Sequence, residues 1–342
     1  MMLAFDPIHA VALAAVAAVA TAGLIWLLKP MLQRYALARP NARSSHTIPT
    51  PQGGGIAVVI AIAAVIAVFA WQGVPAFREP WVLSVLTGLG ALAVAGVIDD
   101  IKPLPVLPRL ALQLGVASLL VMTLPIEKRL LAMIPAELEN VLLVLALVWF
   151  INLTNFMDGI DGMTVAEVVP IGVTLAVLGL FGFVPVLTGL LPVVLALTGA
   201  MIGFAPFNRH VAKLFLGDVG SLPIGALTGW LLIVLAGAGH VHAALILPLY
   251  YVADATITLF RRWQRGERLS EAHRSHFYQH AVQRGFSAPA VTGRVLVLNT
   301  GLGVLALISI VTRQPVVAHL CVVLASAATL AVLWEFEKGR PA

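Results

Sequence analysis

Asp99 and Asp100 in VIDDIKPLP, Asp158 and Asp161 in NLTNFMDGIDGM, and Asp218 in LFLGDVGS each stand beside a long apolar run. Only 16 of the 342 residues are acidic, so five at such boundaries form a concentrated signal. An ionised carboxylate at mid-bilayer costs at least ~3 kcal/mol, so a chain that keeps several at the membrane edge is expected to use them on a polar or metal-bearing substrate. Adjacent carboxylates such as Asp99 and Asp100 repel unless a cation or a donor offsets them, although a solvated loop also tolerates such a pair. Asp218, between glycines and ahead of an apolar run, suits either a helix cap or an oxygen ligand for Mg²⁺. That ion usually binds through one or two carboxylates plus substrate phosphates and water.

Asn152, Asn155, Asp158 and Asp161 recur at every third position. Neighbours share a helix face, but over all four a 3.6-residue helix drifts by about half a turn. The spacing predicts that the helix ends or unwinds near Gly159, wrapping the polar ladder around a ligand. Ordinary capping would use one or two such residues, not four.

The stretch RRWQRGERLSEAHRSHFYQHAVQRG holds six arginines with His273, His276 and His280. Membrane anchoring accounts for Arg261 and Arg262, but not for three histidines that add little charge near neutral pH. His273, Arg274 and His276 have the make-up of a diphosphate clamp, with charged donors facing phosphate oxygens. His210 and the outer residues His9, His240, His242 and His319 read as incidental. In RSSHTIPTPQGGGI, Gly53 to Gly55 would let backbone approach a ligand beside His46, with a plain helix-start turn as the alternative. The stretch lacks Walker-loop spacing.

The elements that must position these residues follow from composition. With 60% hydrophobic and 11% charged residues and a mean hydropathy of +0.98, the chain is far from a soluble domain, in which about 25% of residues are charged. The apolar runs have the length of membrane-crossing helices and lack the alternation of barrel strands. An all-α polytopic bundle is predicted, a single membrane domain over 1–342. Eleven spans are expected near 8–28, 53–72, 81–98, 108–124, 139–154, 163–182, 186–204, 219–238, 241–260, 290–311 and 316–334.

The first run is preceded by no Lys or Arg and followed by Lys29, Arg34, Arg39 and Arg43, which puts the N-terminus outside and the C-terminal tail in the cytoplasm. Loops 29–52, 99–107, 205–218 and 261–289 then face inward, and of 21 Lys and Arg only Arg78, Lys128, Arg129 and Arg313 fall outside. All five aspartates share the inner face. The net charge of +5 is explained by this topology and points to anionic lipid and anionic substrates rather than nucleic acid. The single cysteine, Cys321, lies in the last span and reads as a small buried apolar residue. Pro248 is expected to bend the ninth span and open a gap that could wall a lipid groove. Asp254, the one acid clearly within a late span, would pair with Arg261 or Arg262 or support the site.

In order, RSSHTIPTPQGGG, VIDDIKPLP, NLTNFMDGIDGM, FLGDVGS and AHRSHFYQH resemble the polyprenyl-phosphate N-acetylhexosamine-1-phosphate transferase family, glycosyltransferase family 4, over nearly the whole chain. The resemblance implies that Asn155 and Asp218 hold Mg²⁺, with Mn²⁺ as a substitute, and that the metal bridges the diphosphate of a UDP-N-acetylhexosamine. It further implies that Asp161 and Phe215 lie near the uracil and that Asn152 and His46 join the substrate site. Asp99 and Asp100 would orient or deprotonate the attacking undecaprenyl phosphate, with Asp158 in support and His273, Arg274 and His276 holding the diphosphate. Dimers occur among relatives, so a homodimer is compatible.

The muramyl-pentapeptide branch has a lysine in the first loop and three consecutive histidines in the last. Thr47 and the split HRSH depart from that pattern and resemble the branch that primes O-antigen or other surface polysaccharides in the bacterial inner membrane, with GlcNAc, GalNAc, FucNAc and QuiNAc all open as sugars. The rival reading is a transporter of a phosphorylated lipid or nucleotide sugar, which should carry polar residues near the midplane and paired broken helices.

Overall fold

The computed structural model describes residues 6–38, 49–126, 129–268 and 273–339. Helices dominate: α1 (Pro7–Tyr35), α2 (Gly55–Trp71), α3 (Pro80–Ile101), α4 (Val106–Met122), α5 (Ala136–Met157), α6 (Met163–Leu180), α7 (Pro185–Asn208), α8 (Asp218–Gly237), α9 (Val241–Ile246), α10 (Leu249–Gln264), α11 (Phe277–Gln283), α12 (Ala288–Val311) and α13 (Pro315–Lys338). The starts obey local chemistry. Asp6 caps α1 by accepting from the His9 amide at 2.8 Å, and proline opens α1, α3, α7 and α13, where its missing N–H costs nothing.

Eight of these helices are long and apolar enough to cross a membrane, while α2 and α4 are apolar but shorter. The ninth predicted span is two helices, broken at Leu247 and Pro248 as the proline suggested. Each of the eleven expected segments is thus helical in its expected place.

At the centre stands α8. In its most apolar stretch 89% of residues are buried, against 17% for α1, which makes α8 the axis and α1 a lipid-facing rim. It packs against α3, α5, α2 and α9. The close fit to α2 rests on paired glycines, since a Cβ on Gly55 would lie 2.2 Å from the Gly220 Cα. At the far end of the bundle, Trp81 of α3 meets Trp230 of α8 with ring centroids 5.5 Å apart.

At the near end, the finish of α3 and of α5 meets the start of α8. A short antiparallel pairing, β1 (Leu37–Ala38) with β2 (Thr50–Pro51), pinches the first loop. The Phe215 amide donates to Pro51 O at 2.9 Å, and the Gly54 and Gly55 amides donate to Phe215 O and Leu216 O, both at 2.9 Å. The glycine run therefore serves backbone packing between two loops.

Candidate active site

The last turn of α3 presents Asp99 and Asp100 side by side. Asp100 accepts from the amides of Asp218 at 2.9 Å and Val219 at 3.3 Å, so its carboxylate caps the N-terminus of α8. Such proximity tolerates no side chain on α3 at Gly96, where a Cβ would fall 2.4 Å from the Val219 nitrogen. Because Asp100 does the capping, the Asp218 carboxylate is released for other contacts. Asn155 Nδ2 donates to Asp218 Oδ1 at 2.7 Å and lies 2.9 Å from Ser221 Oγ. Asp218 also comes within hydrogen-bonding reach of Asp99, which itself accepts from the Leu104 amide at 2.7 Å.

Three carboxylates from two helices thus crowd one point. The cation set against them is Arg109 of α4, whose Nη1 stands 3.6 Å from Asp99 and 3.9 Å from Asp218. Its Nε is buried without a hydrogen-bond partner. In the sequence Arg109 was one more basic residue on the inner side. Only the fold turns it onto the acids.

The polar ladder divides among neighbours instead of closing on one point. As expected, the helix ends before Gly159, with Asp158 as the cap of α5. Asn152 Nδ2 donates at 2.6 Å to Gln113 of α4, Asn155 reaches α8, and Asp158 accepts from Thr164 of α6. Asp161 faces the α7–α8 loop, 2.8 Å from His210 Nδ1, and accepts from the Ala212 amide at 3.1 Å. His210 is therefore not incidental: it pins one site loop to the other. Asp158 keeps part of its surface open, yet the protein crowds it. Burial first, and then the charges of Asp100 and Asp161, push its carboxyl up to about 7 against the opposing Thr164 bond.

His276 is buried, with Nδ1 3.0 Å from Asp254 Oδ1. Asp254 also accepts from the amides of Phe277 at 3.1 Å and Tyr278 at 3.2 Å, and from the hydroxyls of Tyr250 and Thr258, both at 3.3 Å. Of the two expectations for Asp254, pairing with Arg261 or Arg262 is corrected, since those arginines reach Glu337 and Glu267; Asp254 is fully buried and supports the His276 segment, the other expectation. A carboxylate on Nδ1 fixes the ring and leaves Nε2 for a ligand.

Tyr278 donates to Phe156 O at 3.0 Å, which sets this segment against the end of α5. The ring of His273 lies 4.9 Å from that of His276. Burial, then repulsion from His276 and Arg262, lowers its pKa to about 4. Arg274 is half-buried, its carbonyl accepting from Gln283 at 3.1 Å. Phe215 is half-buried between the two site loops. His46 lies outside the described residues.

Glycosyl transferase family 4 matches residues 82–236, the span from α3 through α8 that builds the acidic centre. A decaprenyl-phosphate N-acetylglucosaminephosphotransferase of Mycolicibacterium smegmatis is 31% identical over 302 residues, covering 77% of this chain and 72% of that protein. The chain belongs to the polyprenyl-phosphate N-acetylhexosamine-1-phosphate transferase family. A probable undecaprenyl-phosphate N-acetylglucosaminyl 1-phosphate transferase of Bacillus subtilis is 27% identical over 77% of this chain and 75% of its own. A phospho-N-acetylmuramoyl-pentapeptide-transferase of Streptococcus pneumoniae matches 35% of this chain at 35% identity. Among the contacts around the family motifs, Arg109, Gln113, Ser221 and His210 are the ones sequence reasoning left without a site role, whereas Asp254 had one as an alternative. An acid inside a span was the one visible signal, for Asp254.

Proposed function

We propose that this transferase moves a HexNAc-1-phosphate from a UDP-sugar to undecaprenyl phosphate, releasing UMP, at the cytoplasmic face of a bacterial inner membrane. The observation that carries the reading is the meeting of Asp99, Asp100, Asn155 and Asp218 from three helix ends. An oxygen of the lipid phosphate bonds to the sugar-linked phosphorus while the bond from that phosphorus to the bridging oxygen breaks, and UMP leaves. The attacking phosphate is already an anion, so positioning matters more than activation, and direct attack is the route we favour over a covalent aspartyl intermediate.

The residues fit Mg²⁺. Carboxylates in hydrogen-bonding reach of each other call for a cation or proton between them, and the donors are hard oxygens. Among the described residues no His, Cys, Asp or Glu trio has metal-cage spacing, so in this reading substrate phosphate and water would have to complete the ion's shell. Asp218 and Asn155 would hold the ion, which when bound neutralises phosphate charge; Mn²⁺ is its expected substitute. Asp99 and Arg109 would face the lipid phosphate, with Asp100 locking α8 in place. His276 and Arg274 would donate to the diphosphate, and Asp161 and Phe215 would meet the uracil, Asp161 braced by His210.

Eleven spans with the N-terminus outside belong to this reading, supported by the gathering of the acidic helix ends at one end of the bundle. The split HRSH, unlike the three consecutive histidines of the muramyl-pentapeptide branch, supports a role in priming O-antigen or related polysaccharides. GlcNAc has support from the names of the relatives, with FucNAc and QuiNAc as the deoxy-sugar options.

The test is purified protein with undecaprenyl phosphate, Mg²⁺ and a panel of UDP-HexNAc sugars, following UMP and lipid-linked product together. Product that disappears with EDTA is expected. Folded protein that releases no UMP from any of these sugars would overturn the reading.

A further inference from the structure

The last turn of α13, Glu335 to Lys338, reaches three other helices. Glu337 lies 3.1 Å from His280 Nδ1 of α11, 3.6 Å from Arg261 Nη1 of α10 and 3.7 Å from Arg284 Nη1 just past α11. An isolated exposed ion pair contributes little, but here one carboxylate gathers two arginines and an imidazole from three positions. Beside it Phe336 is fully buried, with its ring 6.4 Å from Tyr250 and 6.0 Å from Phe286. Tyr250 in turn donates to Asp254, the carboxylate that holds His276. α11 packs more closely on α13 than on any other helix. The same turn also carries Glu335, which pairs instead with Arg294 of α12 at 2.8 Å.

We propose that the final turn of α13 is a clasp for the His273–His276 segment, with Glu337 and Phe336 as positioning residues for the sugar-nucleotide diphosphate. Glu337 grips α11 one turn beyond His276, and Phe336 supports the Tyr250–Asp254 pair behind it. The inference rests on the transferase reading for its kinetic consequence and on contacts alone for its structural one.

The test uses full-length protein in detergent with Glu337→Arg, the charge swap Glu337→Arg with Arg284→Glu, and Glu335→Gln as a neighbour on the same turn. In Glu337→Arg the KM for the UDP-sugar rises about tenfold, as expected when binding groups lose position, and the KM for undecaprenyl phosphate holds. A mere loss of folded protein would lower kcat and leave both KM values alone. The swap should recover most of the effect, and Glu335→Gln should show none of it. Amide hydrogen exchange over 273–284 should quicken in Glu337→Arg and not in Glu335→Gln. Exchange needs no turnover, so it judges the clasp even if no UDP-sugar proves to be a substrate. Unchanged exchange in Glu337→Arg, or equal effects from Glu335→Gln, would overturn the proposal.

Discussion

The acidic centre and the His276 segment are both built around carboxylates, half-buried in the first and fully buried at Asp254 in the second, and they treat them in opposite ways. Asp254 is satisfied: five donors from α10 and α11 converge on it, and His276 is oriented as a result. Asp99, Asp100 and Asp218 crowd one another, and the cation set against Asp99 and Asp218, Arg109, stands no nearer than 3.6 Å. A complete network rigidifies what it holds, whereas an incomplete one at a membrane edge is a place for a ligand to finish. One region supplies position. The other gathers carboxylates that crowd one another.

The sharpest way to break that contrast is Asp218→Ala. It removes the proposed metal ligand without leaving a buried donor alone, since Asn155 keeps Ser221, and transfer should fall by about a hundredfold or more. Unfolding in detergent should hardly change. Full activity at limiting Mg²⁺ would show that the acidic centre is not the metal site.

Asp254→Ala should do the reverse and cost both properties. Two amides and two hydroxyls lose their acceptor, at about 3 kcal/mol of stability, and His276 loses its orientation. Thermal unfolding and UMP release measured on the same sample check this, and wild-type stability would refute the claim that this region is the rigid one.

Arg109→Lys keeps the charge but loses the guanidinium whose Nη1 stands between Asp99 and Asp218, for an expected drop of about tenfold in kcat/KM for the lipid phosphate. Equal rates for Lys and Arg would mean that Arg109 acts as charge alone.

The smallest effect concerns pH. The Asp158 carboxyl is raised from 3.8 to about 7, so the folded chain holds that proton more tightly than the unfolded one. Its stabilising contribution is therefore complete below about pH 4 and is lost as pH rises through about 7. Asp158→Asn should flatten the fall in stability between about pH 5 and 8, read by thermal unfolding without added metal. An unchanged slope would place the titration elsewhere.

Much of this could be read from the chain. Twenty-residue apolar runs can satisfy their backbone in a bilayer only as helices, so the all-α class and each helical segment followed from hydropathy. Pro248 marked the broken ninth segment for an equally local reason, its missing donor. The acids were visible because charge is so scarce in this composition. What failed were pairings. His210 looked incidental because nothing near it in sequence shows that the α7–α8 loop folds onto Asp161. Asp254 was open between arginines two turns away, its sequence neighbours, and support of the site, and only the fold shows that its partner lies 22 residues on, beyond the end of its helix.

The sequence by itself determined the membrane class, the helical segments and the kinds of side chain available for phosphate and metal chemistry, because these depend on composition, period and local donor counts. Tertiary structure alone decided which carboxylate caps α8 and which stays open, that Arg109 is the cation set against Asp99 and Asp218, and that Asp254 and the chain's last helical turn stand behind His276. Those outcomes depend on distances between helix ends brought together by glycine contacts such as Gly55 on Gly220 and Gly96 on Val219, and no spacing along one chain encodes a distance across four helices.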